Sequence, residues 1–301
     1  MLELKNPRIA VPVVLFAGSL WSFGPLVVRY MDSPNQVPWQ YIFVRGLTIF
    51  IILNLYLYFE EGIKFWKNYL KIGKSGILGG LGLGIAMITF IYSITNTTAA
   101  ITLLCLAAMP FFTALLAFIF LKEQISLNVW ISIAIATVGI IIMAFGNSGE
   151  NSLIGFIFGL TSSIGFSVFS VTLRWRKETP KFTTVAFAGL FCFIFATIII
   201  LSKGQGFFSS SYNSSLFSLH GTLVCFGLIL YSIGSKAIPA AELTLLSLTE
   251  VIGGIFWVWL PLFGINEVPD SNTIIGGFFL FISLFYYSLI MRWNKRFIGL
   301  N

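Results

Sequence analysis

Apolar runs of about twenty residues recur along the whole chain, and they constrain the fold more than any motif does. At about 1.5 Å per residue, each run forms a helix that can cross the hydrocarbon core of a bilayer, which is about 30 Å thick. With 57% hydrophobic and 10% charged residues, the chain has far more apolar sequence than one water-soluble core can bury. We therefore predict an all-α integral membrane protein with ten transmembrane helices, at residues 9–28, 39–59, 76–95, 98–121, 127–146, 153–173, 182–202, 216–236, 239–263 and 272–292.

The basic residues predict the orientation of these helices. If the N-terminus is cytoplasmic, 15 of the 18 Lys and Arg residues fall on the cytoplasmic side, and Arg45 falls inside a span. Only Arg29 and Lys203 fall outside. Cytoplasmic loops of membrane proteins carry an excess of Lys and Arg, so both termini are predicted to be cytoplasmic. The net charge of +7 lies in these short loops, which indicates contact with anionic membrane lipid and not with nucleic acid.

Weak self-similarity predicts two repeats of five helices. Because five is odd, a duplicated unit is inverted in the membrane. The repeats span residues 1–146 and 147–301 and together form one membrane domain. The pairs that match are Arg29-Tyr30 with Arg174-Trp175, Gly46-Leu47 with Gly189-Leu190, and Ala99-Ala100 with Ala240-Ala241.

Two charged residues inside the spans are not duplicated. Glu250 falls near the midplane of the ninth span, opposite Met109 in the repeat alignment. It is either a structural glutamate, protonated or hydrogen-bonded to a neighbouring helix, or a group on the wall of a water-filled cavity that binds substrate or exchanges a proton. Arg45, opposite Ala188, either extends to the outer surface or faces the same cavity as a fixed cation. Charged residues that only one of the two repeats carries are expected to serve a functional site and not the repeated scaffold.

Further candidates for the cavity wall are aromatic, small or polar residues of the spans. Ser247 and Trp257 share a helical face with Glu250, and interfacial anchoring is the alternative for Trp257. The predicted substrate-binding set is Glu250, Arg45, Trp257, Trp21, Ser247, Ser22, Tyr92 and Met109, with Glu250 also the coupling residue. Pro110 is predicted to bend the fourth span. The three cysteines lie inside apolar runs, so no disulfide or metal site is expected.

These residues resemble the drug/metabolite transporter superfamily, specifically its EamA-like members with ten helices. The resemblance spans nearly the whole chain in short motifs, namely Trp21, Arg45, Ala99-Ala100, Leu103-Leu104, Pro110, Glu123, Ala240-Ala241-Glu242, Leu245, Glu250, Trp257-Val258-Trp259, Glu267-Val268-Pro269 and Gly276-Gly277. Members commonly have a proline just after the position of Glu250, where this chain has Val251. The ninth helix is therefore expected to bend at Gly253 and Gly254 instead. The resemblance implies a cavity between the repeats that opens alternately to each side, and no cofactor.

The expected function is secondary active transport of small polar metabolites across a bacterial cytoplasmic membrane, by a monomer or homodimer. One intramembrane cation and one anion favour amino acids or related zwitterions. An organic cation is the alternative, with Glu250 as counter-charge and Trp257 as a cation–π wall. A membrane-embedded enzyme is a remote alternative, because His220 is the only histidine and the chain is not expected to be an enzyme.

Overall fold

The computed structural model of the protein describes residues 6–122, 127–146, 150–176 and 178–298. Within these ranges the regular structure is helical. The α-helices, in chain order α1 to α14, are Pro7–Trp21, Gly24–Arg29, Pro38–Glu61, Trp66–Leu70, Gly73–Asn96, Ala99–Leu106, Met109–Leu121, Leu127–Gly146, Glu150–Trp175, Lys181–Ser202, Ser211–Gly234, Ala240–Leu246, Thr249–Trp259 and Ser271–Ile298.

Eight helical segments of the described chain are long and apolar enough to cross a membrane. They are Pro7–Arg29, Pro38–Leu70, Gly73–Asn96, Ala99–Leu121, Leu153–Trp175, Lys181–Ser202, Ser211–Gly234 and Ala240–Trp259. Two shorter apolar segments, Trp130–Met143 and Ser271–Tyr286, lie where the fifth and tenth spans are predicted. The prediction of an all-α, multi-pass membrane protein is confirmed. The count of ten spans and their orientation stay predictions.

Besides Pro38–Leu70, in which a four-residue 3₁₀ turn separates α3 from α4, three of the described spans consist of two helices separated by two residues. The first is interrupted at Ser22 and Phe23, the fourth at residues 107–108 and the ninth at residues 247–248. Pro25 and Pro110 each stand in the first turn of the helix that follows, where the missing N–H leaves no hydrogen bond unmade. The fourth span therefore breaks directly before the proline that was predicted to bend it.

The bend expected at Gly253 and Gly254 stays a prediction, because α13 runs unbroken through both residues and the ninth span breaks earlier, at residues 247–248. These glycines allow neighbouring helices to approach closely. A Cβ on Gly253 would lie 2.7 Å from Cβ of Ser22, and one on Gly254 would lie 2.7 Å from a methyl carbon of Leu103. The ninth span breaks two residues before Glu250, so the carboxylate lies in the first turn of α13.

Serine hydroxyls of α9 donate hydrogen bonds to backbone carbonyl groups on either side of the interruption of the fourth span. Ser163 donates to the carbonyl of Cys105 at 2.5 Å, and Ser167 donates to that of Met109 at 3.1 Å. Inside a membrane such groups have no water to bind, so a broken helix needs partners from its neighbours. The serine-rich face of α9 thus supports the broken fourth span.

The packing of the spans brings the two halves of the chain together. Contacts between the halves include α5 with α9, α3 with α10, α8 with α14, α1 with α11, α5 with α10, α3 with α11, α7 with α9 and α7 with α12. Helices α3 and α10 meet at two glycines. A Cβ on Gly46 would lie 2.8 Å from the carbonyl oxygen of Gly189, and a Cβ on Gly189 would lie 2.9 Å from that of Gly46. Only glycine allows this separation of the two backbones, since real Cβ contacts are longer.

The far end of α2 is tied to both halves of the chain by a group of polar contacts, here called the Arg29 junction. Arg29 Nε donates to Glu267 Oε2 at 2.6 Å. Its two terminal nitrogens donate to the carbonyls of Ile94 at 2.8 Å and Thr97 at 3.1 Å, at the end of α5. Glu267 Oε1 accepts a hydrogen bond of 2.5 Å from the backbone N–H of Ala99, at the start of α6. The junction therefore fixes α2, α5, α6 and the segment after α13 to one another.

Candidate functional site

A cavity of about 50 Å³ lies among the interrupted spans. Since one water needs roughly 10–15 Å³ measured in this way, it has room for a few water molecules. Its wall is built from α1, α3, α5, α6, α7, α9, α11 and α13, and most of the lining side chains are apolar. The polar groups on the wall come from Arg45, Ser162, His220 and Glu250, together with the indole of Trp21.

Arg45 lies on this wall and is enclosed by protein. The residue is 5% exposed, so its guanidinium does not extend to the outer surface. One terminal nitrogen donates to the carbonyl of Met87 at 3.3 Å, while Nε has no hydrogen-bond partner. The guanidinium carbon lies 5.8 Å from the centre of the Phe90 ring. A buried cation with an unused donor has capacity for an acceptor from a ligand or from water.

Glu250 lies on the same wall, in the first turn of α13, and is half-buried. The first turn of a helix presents free backbone N–H groups and a partial positive charge, which stabilise a carboxylate there. In the part of the chain that the structure describes, no ion pair joins this carboxylate to Arg45. Two opposite charges thus face one cavity from the two halves of the chain without neutralising each other directly.

Two further residues predicted for the wall, Trp21 and Met109, also line the cavity. The indole of Trp21 donates to the carbonyl of Val224 at 3.2 Å and meets the ring of Phe166 edge to face, with centroids 5.7 Å apart. Met109 is the first residue of α7. Trp21 and Met109 therefore both line the cavity next to an interruption, that of the first span and that of the fourth span respectively.

Four other predicted residues do not line the cavity in this structure. Trp257 stacks on Phe23 at 5.1 Å and donates to the hydroxyl of Ser22 at 3.0 Å, so these groups bind each other. Ser247 is fully buried and donates to a backbone carbonyl of α12. Tyr92 packs against other aromatic rings. The interruption at residues 247–248 separates Ser247 from the helix of Glu250, whereas Trp257 lies in α13 together with Glu250 and contacts Ser22 and Phe23 instead.

Several lining residues were missed from the sequence, and His220 is the most important of them. It is 2% exposed, it lines the cavity, and its Nδ1 is hydrogen-bonded to the hydroxyl of Tyr41. His220, Val224 and Leu228 stand four residues apart on one face of α11, which is the signal that could have found them. Among the described residues, no three His, Cys, Asp or Glu side chains are grouped as metal ligands would be.

The sequence was compared with known proteins once this geometry was established. Residues 8–145 match the EamA-like transporter family. An uncharacterized transporter of Helicobacter pylori strain J99 is 28% identical over 144 residues, and the uncharacterized transporter YdfC of Bacillus subtilis is 23% identical over 229. These similarities support membership of the drug/metabolite transporter superfamily.

The matches to these relatives cover different shares of the chain. The Helicobacter match covers 47% of each chain, so the chain spans about half the length of that relative. The Bacillus match covers 74% of this chain and 73% of the relative. An uncharacterized transporter of Clostridium kluyveri is 24% identical over 270 residues, covering 85% and 84%. A solved crystal structure with 14% identity has a TM-score of 0.65 and covers 95% of this chain and 99% of that one, which supports the fold alone.

Proposed function

We propose that the protein is a secondary active transporter that moves small polar metabolites across the bacterial cytoplasmic membrane by alternating access. Amino acids or related zwitterions are the favoured substrates. The observation that carries this proposal is the cavity itself, whose wall holds Arg45 from the first half of the chain and Glu250 from the second. Relatives that are named transporters support the broad class.

The charges favour a zwitterion for an electrostatic reason. An isolated charge near the middle of a membrane costs about 2.5–3.5 kcal/mol or more, so each of the two needs a partner. A zwitterion supplies a carboxylate for Arg45 and an ammonium for Glu250 at the same time. In the proposed cycle, water molecules solvate both charged groups when the cavity holds no substrate. The apolar remainder of the wall suits the hydrocarbon part of such a molecule.

Inverted repeats would provide the alternating access. In the proposed repeats the third and sixth spans correspond to the eighth and first. The contact of α5 with α9 therefore has its counterpart in the contact of α11 with α1, and the contact of α7 with α12 joins the fourth span to its own counterpart, the ninth. Interruptions also fall at corresponding places, residues 107–108 and 247–248. These pairings support two repeats that rock about the cavity. Glu123, the sequence counterpart of Glu267, lies outside the described residues.

An organic cation remains the alternative substrate. Trp257 is not on the cavity wall, so the aromatic surface for a cation would come from Trp21 or Phe90. The ring of Phe90 already lies near the guanidinium of Arg45, which would repel a cationic ligand. The zwitterion is therefore the better fit.

A thermal-shift screen of the purified protein tests the substrate class. A ligand present at 100 times its Kd stabilises the folded state by about 2.7 kcal/mol, whatever the direction of transport. Amino acids are expected to raise the melting temperature of the wild type and to lose this effect in Arg45→Gln. Stabilisation by amines but not by amino acids would contradict the zwitterion proposal and support the organic cation.

The proposed orientation makes a labelling prediction. Ser211 and Lys71 are both exposed, at the start of α11 and the end of α4. A membrane-impermeant maleimide applied to intact cells is expected to label Ser211→Cys and not Lys71→Cys. The native cysteines are buried, so the background is low. Labelling of Lys71→Cys and not of Ser211→Cys would show that the orientation is the opposite of the proposed one.

A further inference from the structure

His220, Tyr41 and Arg45 form one polar corner of the cavity region. Tyr41 and Arg45 lie one turn apart on α3, and His220 faces them from α11. The hydroxyl of Tyr41 is hydrogen-bonded to Nδ1 of His220. Tyr41 is completely buried and stacks on Phe217 with ring centroids 4.7 Å apart. The imidazole is therefore held in one orientation.

The hydrogen bond to Tyr41 determines which nitrogen of His220 carries the proton. Among the described residues, Nδ1 is the partner of this hydroxyl. A buried O–H group needs an acceptor, so Tyr41 donates and Nδ1 accepts. A neutral imidazole that accepts at Nδ1 carries its proton on Nε2. His220 thus has one N–H donor left for another partner.

This second donor has no protein acceptor in the described part of the chain. Nε2 lies beside Gly24, the first residue of α2, where a Cβ would come within 2.7 Å of the nitrogen. Only glycine at this position leaves room for the imidazole in this orientation. Nε of Arg45 also lacks a partner. Two buried residues on one cavity wall therefore have N–H donors and no acceptor, although buried donors are nearly always satisfied.

We propose that His220 is a specificity-determining residue, which binds the carboxylate of the substrate together with Arg45, and that Tyr41 positions its imidazole. The inference rests on the proposed transport of zwitterions and names the residue that distinguishes an amino acid from the corresponding amine. A carboxylate has two oxygens and accepts from both donors. An amine without a carboxylate makes neither contact and binds through Glu250 and the apolar wall.

Paired probes separate this role from a structural one. Leucine and 3-methylbutylamine share a side chain and an amino group, and only leucine has the carboxylate. Apparent KM values for both are measured by uptake into proteoliposomes, for the wild type, His220→Phe, His220→Gln and Tyr41→Phe. Phenylalanine keeps a ring without the N–H, whereas glutamine restores an N–H at similar reach. Tyr231→Phe is the matched control, because this buried hydroxyl binds Ser170 at 2.7 Å and lies outside the cavity lining.

The expected result is a change in the ratio of the two KM values. A hydrogen bond to a charged group contributes enough that His220→Phe should raise the KM for leucine about tenfold or more, with little change for the amine. His220→Gln should recover most of the ratio, Tyr41→Phe should change it by about two- to threefold, and Tyr231→Phe should leave it unchanged. Equal losses for both probes in His220→Phe, or no rescue by glutamine, would overturn the inference. Failure of the wild type to transport leucine would contradict the proposed function itself, and the inference with it.

Discussion

Glu250→Gln is expected to abolish accumulation of substrate driven by a pH gradient, while the protein still folds and inserts. Among the described residues, Glu250 is the carboxylate on the cavity wall. Its charge is not neutralised by a direct ion pair with Arg45, so a bound ammonium group or a proton must offset it when water does not. An amide can neither take up nor release a proton, and coupling to the gradient is lost. Exchange of substrate for substrate survives, because the neutral amide resembles the protonated acid.

Accumulation and exchange are measured on the same proteoliposomes, with and without an imposed pH gradient. Glu242→Gln is the matched control, since Glu242 lies in the same span, eight residues earlier, and outside the cavity lining. It should accumulate substrate as the wild type does. If Glu250→Gln reaches wild-type accumulation, Glu250 is structural and the proton acts elsewhere.

The second large effect is expected at the Arg29 junction. Arg29→Gln removes the ion pair with Glu267 and leaves the carbonyls of Ile94 and Thr97 without their donor. Loss of one partner of a fully buried pair costs 3–5 kcal/mol, and exposure of 20% and 19% for these side chains reduces this to roughly 2 kcal/mol. We expect the junction to stabilise the conformation that is closed to the outside and to be broken in the open one. Loss of roughly 2 kcal/mol from the closed conformation then raises the population of the open conformation about thirtyfold.

Cysteine accessibility measures this opening directly. Leu228→Cys places a thiol on the cavity wall, and its reaction with an impermeant maleimide from outside reports access from that end. The rate should rise at least tenfold with Arg29→Gln and stay unchanged with Arg176→Gln, a control at an exposed arginine. Exchanging the charges, with Arg29→Glu and Glu267→Arg together, should not restore closure, because a carboxylate would then face two carbonyls. Full rescue by the exchange would show that only the ion pair matters.

The sequence predicted the position of a residue best where burying that residue in the membrane costs so much free energy that few positions are possible. Arg45 and Glu250 are charged groups within apolar spans, and such groups face the interior of a bundle, so both were expected near one cavity. The Arg29 junction was not foreseen, because its five groups come from distant parts of the chain. Residue spacing does not show which loop ends meet.

Side-chain direction near an interrupted helix was the main source of error. Ser247 was placed beside Glu250 by helical periodicity, which fails across the break at residues 247–248. Trp257 lies in the same helix as Glu250, and its indole contacts Ser22 and Phe23 instead of the cavity. Bending was assigned to the glycines of α13, although glycine at a packed contact serves close approach as readily as flexibility. His220 was passed over because a single histidine was taken to exclude most histidine chemistry, although its spacing from Val224 places both on one face of α11. Its role is inferred from its contact with Tyr41.

The central claim is that Arg45 and Glu250 bind the two charges of one substrate in a shared cavity. Counterflow tests it most directly. Proteoliposomes loaded with unlabelled leucine are diluted into labelled leucine without any ion gradient, and transient accumulation of label reports binding and exchange alone. The account predicts an overshoot in the wild type, a smaller one in Glu250→Gln, whose amide oxygen can still accept a hydrogen bond from the ammonium, and none in Arg45→Gln. An equal overshoot in Arg45→Gln would contradict it.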